Sequence, residues 1–278
     1  MFNIVIFEQL LHQQVRQKEI TAKTMDGYLR CITQLEIRCN NKDGPSAVII
    51  EEALNKLSQG NNQLAKYIAA IKKYEIDVLN SPKLLLYGEP LMRLRAKKRK
   101  LISSGKKLSN SESTYTHKIN AIRDTKLKLA LRLQKQSGLR VSEVSDLTKH
   151  DIIFDEPSRS ITLKVRNGKG GKARTVNVMR DDYLYDGLIV FIEPLDEQEK
   201  IFYSSDYLIK KAGEYNIKTH DLRRINSRQR FRGELDEGAT RREARTEVAN
   251  ELGHSLPKIT NVYLGDEWKE EKHADGEE

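Results

Sequence analysis

The 278-residue sequence predicts a mostly α-helical fold with a small antiparallel β-sheet, divided between two domains. Three observations predict it. Apolar side chains recur at three- and four-residue steps along much of the chain, the spacing of helices with one buried face. A single pair of short alternating segments flanks Asn167-Gly168-Lys169-Gly170-Gly171, a turn-forming run that signals a hairpin. Between the two patterned regions lies a stretch, residues 91–116, that is cationic and serine-containing.

Residues 1–90 read as a small helical domain. Leu10, Leu11 and Val15 share one helical face; Tyr28, Ile32 and Leu35 make a second stripe, and Ala53, Leu54 and Leu57 a third. From Asn62 to Leu79, Leu64, Ile68, Ile71 and Leu79 face one way. Asp43-Gly44-Pro45 and Gly60-Asn61 are turns between these elements. In the linker, Arg93, Arg95, Lys97, Lys98, Arg99, Lys100, Lys106 and Lys107 crowd into fifteen residues without an acid. Such a segment suits a solvated connection and equally a strip that follows a phosphate backbone. The second domain, residues 117–265, opens with one expected helix over 118–136, carrying Ile119, Ile122, Leu127, Ala130 and Leu131 and stopped at Gly138. Ser160 to Val165 and Ala173 to Val178 are the expected strands. A helix over about 239–252 places Ala244, Val248 and Leu252 at four-residue steps and ends at Gly253. Residues 266–278 form an acidic tail.

Charge narrows the partner. The formal net charge is +9, but the tail carries seven acids against two lysines, so the rest of the chain stands near +14. A surplus of that size calls for a polyanion, because each neutralised phosphate releases condensed counterions. Aromatic residues are only 6% of the chain, too few for base-stacking platforms to be the main binding device. Cys31 and Cys39 lack a second pair, and the six histidines are scattered, so neither a structural metal nor a cofactor is expected. Residues 1–11 lack the basic lead and cleavage site of a leader, and no run approaches the ~20 apolar residues that span a bilayer. A soluble cytoplasmic protein with no membrane partner is the expectation.

Five features after residue 137 carry the chemistry. Ser137-Gly138-Leu139-Arg140-Val141-Ser142-Glu143 sets an arginine where a short helix starts. Lys169 sits at the hairpin tip, with Lys172 close by. His220-Asp221-Leu222-Arg223 puts His and Arg on one helix face. Gly253-His254 ends a helix, and Tyr263 follows nine residues later on a helix opened by Ser255 and Pro257. Singly, each has a bland explanation: a solubilising lysine, a structural histidine, a half-buried tyrosine. Together they fit phosphodiester transesterification. Charge gathers on the non-bridging oxygens in its transition state, and without a metal it must meet fixed cations; the planar, permanently charged arginine fork matches two oxygens. A phenol of ordinary pKa about 10 needs a base or a positive field to attack near neutral pH. A lysine could protonate the leaving 5′-oxygen. A phosphotyrosine ester conserves bond energy, consistent with the lack of a Gly-x-x-x-x-Gly-Lys-Ser/Thr nucleotide motif.

These residues resemble the tyrosine recombinase (phage integrase) family, most closely in Ser137 to Leu147, His220 to Arg224 and Leu252 to Leu264. The resemblance covers roughly residues 117–265 and, more loosely, the N-terminal helices. It implies a two-domain clamp, a helical core-binding domain plus an α+β catalytic domain. It further implies that Arg140 and Arg223 hold the scissile phosphate and that Lys169, with Lys172 as rival, is the general acid. His220 would assist proton transfer, His254 would bond the phosphate, Tyr263 would be the nucleophile and Glu143 would support the first arginine. The implied partners are double-stranded DNA with specific core sites, a tetrameric synapse of the chain itself, and an accessory DNA-bending or directionality factor. The segment from Arg224 to Arg245 is more charged than the apolar stretch usual there. Trp268 would anchor a tail contact with a neighbouring protomer, unless the tail is merely solubilising. Two rivals stand beside this reading: a type IB topoisomerase, and a DNA-binding regulator with a degenerate site.

Overall fold

A computed structural model of the chain describes residues 2–39, 50, 52–54, 61–81, 92, 108, 111–168, 173–253, 257–265 and 267. The chain divides into two compact units, Met1–Ser103 and Ser104–Glu278. The eight basic residues of the 91–116 segment lie outside the described residues, as do Lys169, Lys172, His254 and Trp268.

The first unit holds helices α1 (Ile4–Arg16), α2 (Ala22–Cys39) and α3 (Asn61–Asp77). The Asn3 side chain accepts a hydrogen bond from the Ile6 N–H at 3.1 Å and so starts α1. Phe7 and Leu11 bury one face of α1, Ile32 and Leu35 that of α2, and Leu64, Ile68 and Ile71 that of α3; Ile50, Ala53 and Leu54 complete the core. Leu10 is only half-buried. Leu79 falls beyond the end of α3 and is exposed, because the helical spacing that put it in line with Ile71 stops at Asp77.

The second unit contains α4 (Glu112–Asn120), α5 (Thr125–Ser137), α6 (Val141–Ser145), a sheet of β1 (Ile152–Asp155), β2 (Ser160–Val165) and β3 (Arg174–Asn177), then α7 (Asp182–Ile192), α8 (Ser205–Glu214), α9 (Thr219–Asp236), α10 (Arg241–Glu251) and α11 (Pro257–Leu264). The single helix expected over 118–136 is two. Asp124 leaves the helical conformation and caps α5 through its carboxylate, 3.0 Å from the Leu127 N–H. Apolar Ile122 keeps the periodicity going across this break by packing in the core from the connecting turn. Helix α5 is buried around most of its girth and packs against α7 and α9. It stops at Gly138, whose φ of +70° suits glycine.

The sheet runs in the order β1-β2-β3, all antiparallel, with Leu163 opposite Ile152 on one side and Val176 on the other. Strand β1 was not expected: Ile152-Ile153-Phe154 lacks clean alternation, and only pairing with β2 makes it a strand. Strand β3 is shorter than expected, starting at Arg174 and ending at Asn177. Thr240 and Glu243 form a capping box at the start of α10, and α10 ends before Gly253 at φ +66°. Among the described residues, no helix is long and apolar enough to cross a membrane.

Candidate active site

The site is built where the turn from α5 to α6, the start of β3 and helix α11 meet the start of α9. The first is the turn from α5 to α6. Arg140 is the N-cap of α6, and its backbone N–H donates to Glu143 Oε2 at 2.8 Å. The same carboxylate accepts from Arg140 Nη1 at 2.9 Å. Glu143 is buried, and two further guanidinium groups face it. Arg174, at the start of β3, donates from Nη1 and Nη2 at 3.0 and 2.9 Å. Arg223 Nη1 lies 4.0 Å from Oε2. Burial pushes the Glu143 carboxyl up, but the Arg174 hydrogen bonds, the Arg140 N–H and the guanidinium charges outweigh it and hold the group at about 2.

Arg223 is 1% exposed. Its Nη1 donates to the Gly138 carbonyl and its Nη2 to the Leu252 carbonyl at 2.8 Å. These carbonyls cap α5 and α10, where unsatisfied C=O groups favour a cation. One side chain thus ties together the turn before Arg140 and the turn before His254. Burial pushes its pKa down, and Arg140 adds to the effect, but at about 10 it stays cationic at neutral pH. Three guanidinium groups against one carboxylate leave a surplus of two positive charges, a field suited to an anionic phosphodiester.

Tyr263 reaches this field from α11. The Arg223 guanidinium lies 5.4 Å from the centroid of its ring. The His220 ring stacks on it at 5.2 Å and 23°, with Nε2 3.4 Å from the phenolic oxygen. Which of the two donates depends on the histidine tautomer. His220 sits in the first turn of α9; its neighbour Asp221 is buried, accepts from the Tyr115 hydroxyl at 2.8 Å and pairs with Arg224.

The structure therefore brings Arg140, Glu143, His220, Arg223 and Tyr263 to one place, while Lys169 and His254 lie outside the described residues. It also adds residues that local reading missed. Arg174 is one, and its signal was available: it falls in phase with Val176 and Val178, at a position where an inward-facing strand residue should be apolar. The others come from the charged stretch after Arg223. Arg228 Nε donates to the Tyr263 carbonyl at 3.2 Å, and Arg232 holds Glu267 through both carboxylate oxygens, at 2.8 and 3.2 Å. Arg241 donates to the Glu267 carbonyl. On the other face, Arg230 bonds Glu251, Asn226 and the Asn177 carbonyl. Charged side chains thus bridge α9 to α10, α11 and β3.

The phage integrase family model matches residues 109–268, more than half of the chain. No curated protein matches the chain in sequence. Among solved structures, it is similar to a lambda integrase dimer bound to a COC′ core site, with 16% identity over 97% of this chain and 79% of that one, TM-score 0.64. It is similar to the Tn1549 transposon integrase in complex with transposon right end DNA, with 16% identity over 93% and 94%, TM-score 0.58. A third is the XerH recombinase bound to a palindromic difH substrate, with 15% identity over 86% and 75%, TM-score 0.57. The fold is that of the integrases, and with the matched domain the chain belongs to the phage integrase family of site-specific tyrosine recombinases.

Proposed function

We propose that the chain cuts and rejoins double-stranded DNA at specific core sites, with Tyr263 as nucleophile and a 3′-phosphotyrosyl intermediate. The observation that carries this is the meeting of Tyr263 with both His220, at 3.4 Å from its hydroxyl, and the Arg223 guanidinium, 5.4 Å from its ring. Arg140 and Arg223 bind the non-bridging oxygens of the scissile phosphate. The Tyr263 oxygen bonds to phosphorus as the bond to the 5′-oxygen breaks. The phenolic proton leaves through His220, and Lys169 gives a proton to the departing 5′-oxygen. His254 bonds the phosphate and Glu143 supports Arg140. Because the ester keeps the bond energy, the reverse step rejoins a strand without a nucleotide cofactor.

Residues 1–90 act as the core-binding domain and residues 117–265 as the catalytic domain. The basic segment 91–116 follows the DNA backbone through Arg93, Arg95, Lys97, Lys98, Arg99, Lys100, Lys106 and Lys107. The chain works as a tetrameric synapse on DNA, with an accessory DNA-bending or directionality factor as a further partner, in the cytoplasm of a bacterium that carries the encoding element. A lambda integrase tetramer has been solved on a Holliday junction, which supports the assembly. The topoisomerase and regulator readings are not favoured by the integrase domain and its structural neighbours.

The test is incubation with a nicked suicide duplex followed by mass spectrometry of the DNA-linked peptide. The expected product carries DNA on Tyr263. DNA on any other residue overturns the assignment.

A further inference from the structure

Arg174 links three different parts of the site, two through its side chain and one through its place in the chain. Its two Nη atoms grip both oxygens of Glu143, at 3.0 and 2.9 Å. Its Nε donates to the Glu251 carbonyl at 3.1 Å, three residues before His254. Its own backbone opens β3, two residues after Lys172, at the foot of the hairpin. Gly253 is shaped around it: a Cβ there would come within 3.1 Å of Arg174 Cδ and 3.2 Å of Nε. The glycine that follows α10 thus suits both the positive φ and the close passage of this side chain.

The electrostatics explain why a second arginine is needed. A buried carboxylate facing a lone partner would bond that partner through as many donors as geometry allows, drawing it away from any ligand. In this site the two oxygens of Glu143 are already occupied side by side by the Arg174 fork, the strong bidentate geometry. Arg140 meets Glu143 through its backbone N–H and one guanidinium nitrogen. Its remaining N–H groups stay available to a phosphate.

We propose that Arg174 is a positioning residue of this recombinase: it occupies Glu143 and thereby sets the angle at which Arg140 meets the scissile phosphate, while tying the hairpin and the turn before His254 to the same carboxylate. The inference rests on the reading of Arg140 as a phosphate clamp. Because Arg174 would act through Glu143, the two should behave as one unit.

A double-mutant cycle tests this, with Arg174→Gln, Glu143→Gln and the double variant of the full chain. The readouts are the rate of adduct formation on a nicked suicide duplex, DNA affinity, and the melting temperature. Arg174→Gln is expected to slow adduct formation by about 10- to 100-fold, by analogy with the loss of a group that orients a metal ligand, with DNA affinity nearly unchanged. In the Glu143→Gln background the same change should cost only a few-fold. Arg174→Lys keeps the charge but not the fork, so it should recover only part of the rate; it also serves if the glutamine variant does not fold. Equal slowing in both backgrounds, or a wild-type rate in Arg174→Gln, overturns the proposal. If the wild type forms no adduct, the reading of Tyr263 fails instead. The melting temperatures then still decide, since additive losses would show that residues 143 and 174 do not act together.

Discussion

The two units solve the problem of an interior in opposite ways. In the first, the core is apolar and aromatic: Tyr74 meets Phe2 and Phe7 edge to face, with ring centroids 5.0 and 5.4 Å apart. Glu75 is the one buried charged side chain of that unit among the described residues. In the second, Glu143, Asp151, Asp221, Arg223 and Arg224 are all buried, beside an apolar core of its own. Burying ions costs several kcal/mol each and is offset only by good partners. The first unit thus accumulates stability by area, whereas the second gives part of it up to hold guanidinium groups in a fixed field. The comparison teaches that core substitutions in the first unit should read out as stability alone, whereas substitutions in the charged cluster of the second should read out as rate, with stability lost as well where the ion is buried.

The largest expected effect is the loss of chemistry without loss of structure. Tyr263→Phe should bind and pair sites yet leave no covalent adduct on denaturing gels. Next comes Arg223→Ala, which strips two helix-end carbonyls and the Glu143 field of a buried partner; about 3–5 kcal/mol of unfolding free energy should disappear in denaturant titrations. Arg140 is at the half-exposed edge of the same cluster. Its removal should cost about 2.7–4 kcal/mol in cleavage, by analogy with an oxyanion donor, with a smaller change in stability than for Arg223. Equal stability losses at 140 and 223 would break the contrast.

Glu143 predicts a pH signature. Its folded pKa of about 2 lies below the ordinary 4.5, so its contribution is complete above about 4.5 and is lost as the pH falls towards 2. Comparing wild-type and Glu143→Gln melts across that window should expose a difference on the order of 3 kcal/mol that vanishes at its acidic end. The smallest effect belongs to the apolar unit. Ile71→Val should cost about 0.5–1.5 kcal/mol in stability and nothing in the adduct-forming rate per folded molecule.

Much of this was legible in the residues themselves. Gly138 and Gly253 marked helix ends because only glycine takes a positive φ cheaply, and both hold one. The hairpin strands followed from alternation around Asn167-Gly168. Arg140, His220, Arg223 and Tyr263 stood out as members of short motifs. The failures have a common cause. The 118–136 helix hid a break because Ile122 is apolar for the sake of the core rather than of a helix. Strand β1 needed β2 beside it. Arg228, Arg232 and Arg241 lie in a stretch that the sequence marked only as unusually charged; their partners Tyr263 and Glu267 are more than twenty positions away in the chain.

The amino-acid sequence by itself determined the local grammar: which stretches carry helical or strand periodicity, where Gly138 and Gly253 stop a helix, and which family the motifs resemble. Only the tertiary structure decided that Arg140, Arg174 and Arg223 converge on one carboxylate and that Tyr263 lies against His220. The physical reason is that these partners are up to 80 positions apart in the chain. Their hydrogen bonds depend on how α5, α9 and the sheet pack together, and no rule of three- or four-residue spacing carries that information.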